Sequence, residues 1–157
     1  FRPLVVLCVL LFPAILMAGA IHEAVRKNNL DEVEKILKDN PSLVSSPDGD
    51  QKITPLHYAS ALGNVKMVRL LISEGADVNA VTAKGMTPLH WAVRYDMVTT
   101  AAILIEKGAD IQAKTKGGHS PLKWAIGWKS KRAVRLLLSK TPSAYVDLSL
   151  DVRGVEG

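Results

Sequence analysis

The chain has 157 residues, 48% hydrophobic and 22% charged, and its 20 Lys and Arg against 15 Asp and Glu give a net charge of +5. A single cysteine, Cys8, excludes an internal disulfide and a cysteine-based metal site, so stability has to come from apolar burial. No HExxH, GxSxG or phosphate-loop motif occurs, and Gly117-Gly118 falls in a repeated turn, so the sequence does not read as an enzyme. No cofactor or metal is expected.

The first element in chain order is an apolar leader. After Arg2 nothing from Pro3 to Ile21 is charged, and Leu4 to Met17 is almost wholly apolar. Ala18-Gly19-Ala20 then supplies small residues at the positions a signal peptidase requires. Residues 1–20 therefore read as a secretory signal peptide, which makes the protein secreted or periplasmic. The alternative is an uncleaved membrane anchor holding the rest outside the cytoplasm, since about 20 apolar residues can span a bilayer. Pro13 interrupts the run and Ile21 is needed by the following domain, and both favour cleavage.

From Ile21 onward the chain repeats itself. Thr54-Pro55-Leu56-His57-Tyr58-Ala59 recurs 33 residues later as Thr87-Pro88-Leu89-His90-Trp91-Ala92, and 33 later again as Ser120-Pro121-Leu122-Lys123-Trp124-Ala125. Such a period means one supersecondary unit stacked on itself, with no pocket built into the unit. In each copy a hydroxyl residue suits the N-cap and proline the first helical position. Gly63-Asn64 ends the first helix. Met67, Val68, Leu70, Leu71 and Ile72 then form the buried stripe of a second helix, with Lys66, Arg69 and Ser73 outward. Gly75 stops it. Ile21-His22-Glu23-Ala24-Val25 is a worn first copy, lacking Thr-Pro, with Asn28-Asn29 on the Gly63-Asn64 positions.

The repeated TPLHYA, TPLHWA and SPLKWA phrases resemble the ankyrin repeat. The resemblance implies an all-α solenoid of about four helix-turn-helix repeats, over residues 21–53, 54–86, 87–119 and 120–143, linked by β-turn or hairpin loops. It also implies that His57 and His90 are structural hydrogen-bonding residues. Asp96 and Lys129 stand where Gly63 closes the first helix, so those turns are expected to be strained or differently shaped. Residues 144–157 show no clear period and read as a weakly ordered tail or the start of a further repeat.

Charge is uneven along the stack. The first repeat is acidic, whereas from Ile111 to Val146 there are eight bases and no acid. Lys131, Arg132 and Arg135 suit the solvated face of a terminal helix. They also allow an alternative function, binding of anionic polymers or lipids. Nucleic acid is not an expected partner, since no recognised nucleic-acid module is present and export would remove the chain from it.

What remains is recognition by a surface. Proteins resembling the ankyrin repeat bind partners with turn tips and the inner faces of their first helices. Carried onto this sequence, those positions give a partner-binding strip of Lys84, Met86, Arg94, Tyr95, Lys116, His119 and Trp128. Tyr58, Trp91 and Trp124 are expected mainly to pack between repeats. The chain is expected to act as a monomer on an unidentified protein partner, with membrane contact only if the leader is retained.

Overall fold

The computed structural model describes residues 19–141, and within them every regular element is helical. Residues 19–26 form α1, followed by α2 (Leu30–Asp39), a 3-10 turn (Pro41–Ser45), α3 (Pro55–Leu62), α4 (Val65–Ser73), α5 (Pro88–Arg94), α6 (Val98–Glu106), α7 (Pro121–Gly127) and α8 (Lys131–Lys140). These are four consecutive helix pairs, the all-α solenoid expected from the period. The leader lies outside the described residues except for Gly19 and Ala20, which are helical, and the tail of 144–157 lies outside them altogether.

Each of the last three pairs starts as its motif dictates. Thr54, Thr87 and Ser120 are N-caps in extended backbone, and each is followed by proline at the start of the helix. His57 and His90 at the third helical position close capping boxes that a glutamate usually completes. The inner helices then pack in series, α3 on α5 and α5 on α7, while α2, α4, α6 and α8 form the outer layer. Ala59, Ala92 and Ala125 have no exposed surface, and a larger side chain at any of them would wedge neighbouring helices apart. Leu56 and Leu89 from the inner layer meet Met67, Val68, Leu71, Leu104 and Leu137 from the outer in one continuous core. Each fully buried leucine contributes about 1.5–3 kcal/mol, and no single repeat could bury its own without a neighbour.

The turns between inner and outer helices keep one shape. Asn28, Gly63, Asp96 and Lys129 have φ of 59°, 69°, 56° and 56°, so Asp96 and Lys129 are strained but not differently shaped. What differs is the use of the side chain. Asp96 Oδ1 accepts the Ala133 amide at 2.8 Å, a cap for α8 delivered by the preceding repeat. Ser130, the N-cap of α8, makes no capping bond with its side chain; its hydroxyl donates to the Arg94 carbonyl at 3.2 Å. Asn28 reaches Asn64 in the same way, side chain to side chain. At Gly63 a Cβ would collide with Met97 Sδ, so a larger residue there would have to displace that flexible side chain as well as adopt the positive φ that favours glycine.

A ladder of histidines holds the hairpins that separate the repeats. The first hairpin is closed by Asp48 and Ile53, and in each of the next two a threonine is bonded twice across the turn. The Thr82 amide donates to the Met86 carbonyl at 3.0 Å and the Met86 amide to Thr82 Oγ1 at 3.2 Å; Thr115 and His119 do the same at 3.0 and 3.2 Å. Neighbouring tips are joined by backbone bonds from Ala83 to the Gln51 carbonyl and from Lys116 to the Lys84 carbonyl, at 2.8 and 3.0 Å. His57 Nδ1 accepts the Thr54 amide at 3.2 Å, which leaves Nε2 to donate to the Met86 carbonyl at 2.9 Å. His90 repeats this with the Thr87 amide and the His119 carbonyl, at 3.2 and 3.1 Å. The amide donor fixes the neutral tautomer with its proton on Nε2. Burial pushes His57 down to about 4 and also lowers His90. These histidines are structural, as the resemblance implies.

Candidate partner-binding surface

The strip expected from sequence is built from two hairpins and the ends of two inner helices. Lys84 and Met86 come from the hairpin before α5, and Lys116 and His119 from the hairpin before α7. The backbone bond between Lys116 and Lys84 sets these tips side by side. Arg94 is the last residue of α5, Tyr95 its C-cap, and Trp128 the C-cap of α7. All seven positions lie in repeats packed directly against one another.

Two grooves of about 370 and 390 Å³ run along this strip. Lys84, Met86, Lys116 and His119 line the first, together with Trp124. His119 and Trp128 line the second, with Lys123, Trp124 and Ile126. His119 and Trp124, with ring centroids 5.8 Å apart, are the wall shared by both. Arg94 ties the remaining two residues in. Its guanidinium carbon lies 4.2 Å from the Trp128 ring centre and 5.2 Å from that of Tyr95. The sequence therefore selects residues that the fold brings onto one face.

Exposure singles out the same region. The exposed large hydrophobic residues among those described are Leu62, Val81, Tyr95 and Trp128, at 48, 56, 46 and 51%. Leu62, Tyr95 and Trp128 occupy one repeat position, each 33 residues from the next, at the end of its inner helix.

Trp124 is the residue that sequence reasoning undervalues. It packs edge-on against His90 at 6.3 Å, as an inter-repeat residue should, yet it also walls both grooves. The available signal is its spacing of four from Trp128, which puts two indoles on one helical face, 6.5 Å apart. Tyr58 and Trp91 do pack between repeats, edge to face at 5.9 Å. Asn79 is also missed. Its side chain donates to the Gly108 carbonyl at 3.0 Å and accepts the Asp110 amide at 2.8 Å, stapling adjacent repeats.

The charges at the two ends behave differently. Arg26 bonds Glu23 at 3.2 Å and Asp48 at 3.3 Å, and Tyr58 donates to Asp48 at 2.9 Å. Burial first, then that bond, raises the Tyr58 hydroxyl above its ordinary value. Lys84, Lys116 and Lys123 are exposed and make no ion pair among the described residues. Among those residues no group of three His, Cys, Asp or Glu is placed to hold a metal ion, and no helix is long and apolar enough to cross a membrane.

The comparisons with known proteins agree with this architecture. The family model for ankyrin repeats, in three copies, matches residues 21–115, well over half of the chain. The chain belongs to the ankyrin-repeat family. It is 41% identical over 69 residues to a transient receptor potential cation channel subfamily A member 1 homolog of Caenorhabditis elegans, covering 44% of this chain and 6% of that protein. It is 46% identical over 59 residues to ankyrin repeat domain-containing protein 49 of Bos taurus, covering 38% and 24%, and 38% identical over 65 residues to DNA-binding protein RFXANK of Homo sapiens, covering 41% and 25%. The chain thus spans a quarter or less of the length of each of these relatives. Ankyrin repeats are generally a non-catalytic module for protein–protein interaction, and residues 21–115 carry such repeats.

Proposed function

We propose that this chain is an exported binding module that engages a protein partner through a concave strip of hairpin tips and inner-helix ends. The observation that carries this reading is the column of Leu62, Tyr95 and Trp128, large apolar side chains left half in water at one repeat position. A soluble surface gains nothing by repeating such exposure, whereas a partner would bury all three at once. Aromatic residues and arginine dominate the energy of most interfaces, and Arg94 stacks between two of the column's rings. A standard contact of about 800 Å² per side would cover the strip.

Capture of the native partner from the extracytoplasmic fraction tests this surface. Tyr95→Ala and Trp128→Ala should each abolish recovery while helicity is unchanged, and full recovery with both variants would place the interface elsewhere. Export rests on the leader sequence of residues 1–20 alone. N-terminal sequencing of the mature protein should find that segment removed; an intact leader would make the chain a membrane-tethered scaffold instead. A second reading is favoured by Lys131, Arg132 and Arg135, all exposed on α8. Salt-sensitive binding to heparin or anionic vesicles, lost on reversing those three charges, would support it.

A further inference from the structure

We infer that the ligand of the two grooves is an acidic linear peptide carrying apolar anchor side chains, a conclusion that rests on the strip being the partner-binding surface. Each groove combines an apolar lining with a cationic one. Met86 and Trp124 line the first beside Lys84 and Lys116, and Ile126 and Trp128 line the second beside Lys123. Their volumes of about 370 and 390 Å³ fall within the range of about 300–1,000 Å³ typical of small-ligand sites. Adjacent grooves with a shared wall suit one extended segment that places a side chain in each.

Charge decides the sign of that segment. The three lysines are exposed and unpaired among the described residues, and no Asp or Glu occurs in the sequence between Ile111 and Val146. A carboxylate-bearing ligand relieves their mutual repulsion; a basic one increases it. Arg94 adds to the same field. Its guanidinium lies over the ring of Trp128, which lines the second groove, so its positive charge stands beside that groove. The need for a solvated terminal face accounts for the cations of α8, but not for lysines beside apolar grooves. A sulfated polysaccharide would satisfy the lysines and leave Met86, Ile126 and Trp128 without apolar contact.

Fluorescence anisotropy with the full chain tests the proposal. The probe is a fluorescein-labelled peptide of about twelve residues alternating aspartate with leucine and phenylalanine. Control peptides carry lysine for aspartate, or serine for the apolar residues. The acidic apolar probe should bind at least tenfold more tightly than either control. Trp128→Ala should weaken it tenfold or more, and so should the combined Lys84→Glu, Lys116→Glu and Lys123→Glu variant, with circular dichroism and melting unchanged. The charge-reversed variant should instead bind the lysine peptide. Equal binding of the serine control, or displacement by a heparin fragment with no effect of Trp128→Ala, would overturn the proposal in favour of charge alone. A dimer in light scattering that the probe fails to dissociate would put a second copy in the grooves and overturn it too. If neither charged peptide binds while the native partner is still captured through Tyr95 and Trp128, the acidic class is wrong and the binding surface stands.

Discussion

In the first repeat Arg26 and Lys27 are turned on carboxylates of the same repeat, while the lysines of the groove strip, from Lys84 to Lys123, are turned outward. Arg26 lies over the Tyr58 ring at 5.1 Å and reaches both Glu23 and Asp48, so cation, ring and carboxylates neutralise each other within the fold. Arg94 also lies over rings, those of Tyr95 and Trp128, but no carboxylate among the described residues answers it or the nearby lysines. The backbone is nearly the same at the two ends: a turn near φ 60°, a short inner helix, a hairpin pinned by histidine. Stacking needs only the small and apolar residues of each unit. The polar positions are left for other work, and here one end uses them internally.

The largest effect should come from the junction of the two ends. Leu89 is fully buried on the inner helix of the third repeat, and Leu89→Ala should cost about 2–5 kcal/mol. Urea unfolding should then separate into two transitions, since each end is coupled to the other only through neighbouring repeats. A single transition with almost no loss would refute the continuous core.

His57→Ala should follow, at about 1–3 kcal/mol, because it strands the Met86 carbonyl and the Thr54 amide in a buried site. The same residue makes stability depend on pH. Its pKa is about 4 when folded against an ordinary 6.5, so between these values the unfolded chain binds more protons. Stability should therefore fall as pH drops from 6.5 towards 4 and be insensitive to this group above that window. His57→Gln should flatten the slope in thermal melts at pH 7, 6 and 5, while an unaltered slope would assign it to other groups.

Asp96→Ala removes the cap that one repeat lends to the next and should cost about 0.5–2 kcal/mol by urea denaturation. Asp96→Asn keeps an acceptor oxygen and should lose less. If alanine and asparagine behave alike, the bond to Ala133 contributes nothing.

The smallest effects sharpen the comparison directly. Asp48→Ala should destabilise by up to about 1 kcal/mol, since it opens an exposed network at the first end. Lys116→Glu should leave stability within about 0.5 kcal/mol, since it breaks no ion pair among the described residues. Equal losses from the two would mean that the ends are not used differently.

The spacing of the Thr-Pro motif, the helix stripes and the histidine slot were all legible, because each is a local pattern that stacking merely repeats. Leu62, Tyr95 and Trp128 could be placed at the ends of inner helices for the same reason. Trp124 was legible only in part. Its position in the repeat marks it as a packing residue, and a groove on its other side needs neighbouring hairpins to exist. The turns at Asp96 and Lys129 were flagged by their missing glycine, but the retained shape and the bond to Ala133 depend on where the next repeat sits.

From residue order alone follow the unit, its period and the positions that face inward, since helix periodicity and capping are set by neighbours in the chain. Which polar groups meet was decided only by the folded stack. Arg26 finds Asp48 22 residues away, while Lys84, Lys116 and Lys123 make no ion pair among the described residues. Pairing of charges is a matter of distance in space, and sequence separation does not give that distance until the repeats are packed.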